Sequence, residues 1–170
     1  HVHYQVPASS LAALSQHHNI PTRLLDFTRN PFVAAFFAAD FVTAGKMQSH
    51  PEHLAVWAIH APKMRLLVDE LRVLTAPRSG HSFLHAQDGL FLYVPDSFRW
   101  VHQHGAWPSF EVFFDRGPSA RHDVALVRQL ILPVGQVTHV LDLLWAHRIS
   151  RAHLMPTIDN VAQSLMRRWR

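Results

Sequence analysis

Residues 31–42 read PFVAAFFAADFV, a run that is apolar on nearly every side of a helix and carries one charge, Asp40. A helix with no water-facing side belongs in the middle of a core. It is also too short for a membrane span, which needs about 20 apolar residues. Asn30-Pro31 supplies its start, an N-cap residue followed by a proline at the first helical position. What this chain can fold into is therefore limited to architectures that surround one greasy helix.

The flanking segments indicate what surrounds it. Ser9 or Ser10 can cap a helix running to about His18, with Leu11 and Leu14 on one face and Pro21 ending it. PTRLLDFTR (21–29) reads as a connector, and residues 43–53, with Gly45 and Pro51, as a surface loop. Strands are expected at LAVWAIH (54–60), RVLTAP (72–77), GLFLYVP (89–95) and DVALVRQLILP (123–133). Short helical pieces are expected at 62–71 and 82–87, and an extended edge piece, SFEVFFDRG, within 96–122.

Two helices follow. In 135–147, Val137, Val140, Leu141 and Leu144 recur at helical spacing; in 157–169, Ile158, Val161, Ala162, Leu165, Met166 and Trp169 continue it. The order of elements predicts an α+β fold. A small, largely antiparallel sheet would pack with the central apolar helix and the two C-terminal helices.

At 170 residues, 48% apolar and 16% charged, the chain has the makings of one globular domain with a substantial core. It has no cysteine, which excludes disulfides, thiolate metal sites and cysteine nucleophiles and fits a reducing, cytoplasmic setting. Fifteen histidines are dispersed with no H-E-x-x-H spacing, so no metal site is expected. The net charge of +4 fits either a generic basic surface or a phosphate-bearing partner. Trp57, Trp100, Trp107, Trp145 and Trp169 would permit a nucleic-acid-binding module, but no nucleic-acid motif accompanies them. No membrane partner is expected.

The segment just before the greasy helix is unusually polar. Arg23 and Asp26 are close enough to pair, Thr22 and Thr28 add donors, and the helix start offers free N–H groups. An arginine fork here would suit a carboxylate or phosphate. The alternative is structural: Arg23 and Asp26 pin the connector, and Thr28 or Asn30 caps the helix. His17 can likewise be a ligand group or an ordinary cation near a helix C-terminus.

LSQHHNIPTRLLDFTRNPFVAAFFA (14–38) resembles the signature of FRG domains at Gln16, His17, Pro21, Thr22, Arg23, Leu24, Leu25, Asp26, Phe27 and Thr28. AQDGLFLYVP resembles the family's Gln-x-Gly-x-Phe step, at Gln87, Gly89 and Phe91, and residues 130–165 resemble its closing strand and helices. Asn19 stands where a glycine is usual, and Phe83 where an arginine often precedes the Gln-x-Gly step. The aromatic-Arg-Gly element that names the family does not occur before Gln16, and the first residue is His1. The chain is therefore read as a single FRG-like domain over 1–170 lacking its N-terminal portion.

The resemblance implies an ADP-ribosyltransferase-like fold, a bacterial defence or toxin setting, and a nucleotide-type ligand with NAD as substrate. His17, Arg23, Asp26 and Gln87 would then carry catalysis, and Gln16, Thr22, Thr28 and Gly89 would line the ligand site. Transfer from NAD needs a carboxylate to steady positive charge on the ribose. The candidates are Asp26, Asp88 and Glu111. A non-catalytic structural or regulatory domain is the remaining alternative.

Overall fold

The computed structural model describes Thr22 and residues 24–43, 51–63, 72–75, 82–93, 97–106 and 126–169. Helices and strands are mixed, as expected for α+β. The strands are β1 (Leu24–Thr28), β2 (His53–Ile59), β3 (Arg72–Leu74), β4 (Gly89–Tyr93) and β5 (Val127–Pro133). The helices are α1 (Pro31–Thr43), α2 (Ser82–Ala86), α3 (Ser97–His104), α4 (Val137–Ala146), α5 (Arg151–Leu154) and α6 (Ile158–Arg168). A 3-10 turn, Val134–Gln136, leads into α4.

The strands form two small sheets rather than the one expected, ordered β1-β4-β3 and β2-β5. β3 runs antiparallel to β4, with Arg72, Val73 and Leu74 opposite Tyr93, Leu92 and Phe91. β2 and β5 are also antiparallel. The His60 N–H donates to Leu126 O at one end (2.8 Å) and the Val134 N–H to Glu52 O at the other (2.9 Å).

The chain forms two compact units, each assembled from three stretches of sequence. The first holds most of β1 and β4, all of β3, and α3. Its buried side chains include Leu24, Phe91, Leu92 and Leu126. β1 corrects the reading of PTRLLDFTR as a plain connector. Asp26 and Thr28 suit turns locally, but β4 offers residues 24–28 a hydrogen-bonding edge, and pairing overrides local preference. α3 precedes SFEVFFDRG (109–117), the piece expected to be extended, which lies outside the described residues. Gly105, at φ +71°, ends α3 and donates its N–H to Val101 O (2.8 Å), a stop that a glycine adopts without steric cost.

The second unit contains α1, α2, α4, α5, α6 and most of β2 and β5. α1 packs chiefly against α4. Val33, Phe36 and Ala39 of α1 meet Val137, Leu141 and Leu144 of α4, and Leu54, Ile149 and Leu154 complete the core. The α4 residues fall on the stripe expected from their spacing.

Two helices depart from expectation. α1 is apolar all round, yet only one side is buried, and Phe32, Phe37 and Phe41 are exposed. In α6 the apolar stripe faces away from the unit's core: Ile158 is 89% exposed and Trp169 83%, while Ser164 is buried. Polar contacts set that rotation. Ser164 Oγ accepts the Ala152 N–H (3.2 Å), and Asn160 Nδ2 donates to Met155 O (2.8 Å). Thr157 caps the helix by accepting the Asn160 N–H (3.2 Å). No described helix is long and apolar enough to cross a membrane.

Candidate functional site

The polar residues before α1 form a strap in the second unit. The Thr28 hydroxyl donates to the Gln87 main-chain carbonyl (2.6 Å), and Thr28 Oγ1 accepts the Asn30 N–H (3.0 Å). Asn30 Oδ1 accepts the Phe32 N–H (3.0 Å), which makes Asn30 the N-cap, as its sequence position predicts. The Arg29 N–H donates to Asp88 O (3.1 Å), and its guanidinium pairs with Asp88 Oδ1 (3.2 Å). Gln87 Nε2 donates to Leu154 O (3.3 Å), joining this turn to α5. Asp88 sits at φ +45°, a left-handed conformation that aspartate tolerates, and Gly89 begins β4 directly after it.

Thr28 and Gln87 are thus brought together, and both answer neighbouring main-chain groups. Thr22 Oγ1 accepts the Leu24 N–H (3.2 Å), and Asp26 lies exposed in β1. Gln16, His17, Arg23 and Glu111 lie outside the described residues. Asp88, one of the candidate acids, is the partner of Arg29 in a half-exposed ion pair.

A second polar constellation, unanticipated in the sequence, lies in the same unit among α1, α4, α5 and α6. Asp40 is the one charge in α1 and is buried. A lone buried carboxylate would be costly, so it requires cationic partners. It has two: Arg151 Nη2 bonds its Oδ2, and Arg167 Nη1 lies 3.6 Å from its Oδ1. Arg167 also donates to Thr43 Oγ1. Arg168 lies over the Trp145 ring, 5.4 Å from its centroid, in cation–π geometry.

These groups line an open cleft of about 470 Å³, which Asp142, Ser150 and Ile149 help to wall. Three guanidiniums face two carboxylates there, so the cleft carries a positive excess. The Asp40 side chain is 10% exposed, against 29% for Arg151 and 44% for Arg167. The acid is sealed in, while its cationic partners reach the opening. Beside them, Ser150 Oγ lies 2.8 Å from His153 Nδ1, and the His153 ring meets Trp145 edge-on at 6.1 Å.

Among the known protein families, the FRG domain matches residues 2–46. Residues 2–46 are thus similar to the FRG domain. The match spans the polar lip and the whole of α1, including Asp40 and Thr43. It stops short of the Gln87–Phe91 step and the closing helices, where the likeness to FRG domains rests on the quoted residues alone. No curated protein and no solved structure matches the chain.

Asp40 therefore belongs to the FRG-matched segment, whereas Arg151, Arg167 and Arg168 are supplied from beyond it. Asp40 gave a legible signal, a charge inside an apolar helix. Arg167 and Arg168 gave none, because cations near a helix C-terminus are ordinary. Among the described residues, no cluster of histidine and acidic side chains could hold a metal ion.

Proposed function

We propose that this chain binds a phosphate-bearing, nucleotide-type ligand, NAD or a relative, in the cleft between α1, α4, α5 and α6. One observation carries the reading: Arg151 and Arg167 share a single buried carboxylate, Asp40, at the edge of a cleft sized for a small molecule. Two guanidiniums on one carboxylate retain unused donors, and a planar fork suits phosphate oxygens. Trp145 adds an aromatic surface beside them. The resemblance to FRG domains supplies the finer terms: an ADP-ribosyltransferase-like use of NAD, in bacterial defence. Asp142, on the cleft wall, is a carboxylate available to steady positive charge on the ribose.

The test is titration calorimetry of the 170-residue chain with NAD, ADP-ribose and ATP. Saturable binding is expected. It should weaken about tenfold or more in Arg151→Ala, a loss of about 1.4 kcal/mol. Absence of heat for all three at millimolar ligand would sink the reading.

A further inference from the structure

We propose that Ser150 is an acceptor for the ADP-ribosyl group, with His153 as the base that takes its proton. This rests on the reading of the cleft as an NAD site. Ser150 walls the cleft next to Arg151, and its hydroxyl lies 2.8 Å from His153 Nδ1, within the reach a general base needs. A serine directly before a helix ordinarily turns its hydroxyl oxygen onto the helix's free N–H groups. Ser150 makes no such bond to α5, and its hydroxyl is engaged by the imidazole instead. The edge-on contact with Trp145 holds the imidazole in place, and His153 is exposed, so a proton taken from the serine has a path to water.

With the imidazole proton on Nε2, Nδ1 accepts the serine proton. Oγ then forms a bond to the anomeric carbon of the nicotinamide ribose, and the carbon–nitrogen glycosidic bond breaks. Its electron pair leaves with nicotinamide, which departs neutral, and the serine proton passes from His153 to water. The products are an O-ADP-ribosyl serine, nicotinamide and one proton, so atoms and charge balance.

The experiment incubates the 170-residue chain with NAD and locates any adduct by peptide mass spectrometry, with calorimetric NAD binding measured on the same samples. The expected result is one ADP-ribosyl group on Ser150, abolished in Ser150→Ala. Ser150→Thr should retain it in part, because the hydroxyl survives. His153→Gln should slow its formation by about 100-fold or more while NAD binding persists. Thermal melts establish that each variant is folded. NAD binding without an adduct on Ser150 overturns this proposal and leaves the ligand reading intact; no NAD binding overturns this proposal, and absence of heat with NAD, ADP-ribose and ATP alike overturns both.

Discussion

The strap at Thr28–Asn30 and Gln87–Asp88 and the cleft around Asp40 are both polar, both in the second unit, and differently balanced. In the strap, donors and acceptors answer one another: Thr28 serves Gln87 and Asn30, Asn30 serves Phe32, and Arg29 meets Asp88. In the cleft, one buried acid serves two arginines while a third rests on Trp145. A polar cluster that closes on itself holds a chain in place. A cluster with surplus donors at an opening can hold something else. The density of polar letters in a sequence does not distinguish the two; the count of partners does.

That contrast can be broken experimentally. The largest effect is expected from Asp40→Ala, which leaves two guanidiniums without their buried partner. Losing one side of such a pair costs about 3 kcal/mol, read by urea or thermal denaturation. A change under about 1 kcal/mol would show that Asp40 is not the keystone of the cleft. Asp40→Asn sharpens the point, because it removes the competing charge: NAD affinity should rise even as stability falls.

Next comes Arg167→Ala, which should weaken NAD binding about tenfold, or about 1.4 kcal/mol, and make it less sensitive to salt. Unchanged affinity would restrict the site to Arg151. Thr28→Ala should act in the opposite way. It should cost about 1 kcal/mol of stability, through the lost bonds to Gln87 O and the Asn30 N–H, with NAD affinity unaltered. If Thr28→Ala impaired binding with stability intact, the strap would be a ligand site and the comparison would reverse. The smallest effect is expected from Arg29→Ala, whose half-exposed pair with Asp88 is worth no more than about 0.5 kcal/mol in a melt.

Much of the second unit was legible in the sequence. The start of α1 followed from Asn30-Pro31, and the buried face of α4 from Val137, Leu141 and Leu144, because capping and helical spacing are local. β1 was not legible, because its partner β4 lies some 60 residues on and Asp26 and Thr28 favour turns in isolation. The orientation of α6 was not legible for a related reason. Its apolar stripe is a local pattern, but its docking is set by Ser164, Asn160 and Arg167 reaching groups elsewhere. Of the residues suggested for the site, Thr28 and Gln87 are brought together, but by bonds to the main chain that no motif announces.

The sequence by itself determined that the chain mixes helices and strands as α+β, that its apolar helix begins at Asn30-Pro31, and that this helix carries one charge, Asp40. Each of these is a matter of neighbours along the chain. Only the tertiary structure decided which cations meet that acid, because Arg151 and Arg167 lie 111 or more residues away and are brought to it by the packing of α5 and α6. Charge pairing acts across space, and distance along the chain carries no trace of it.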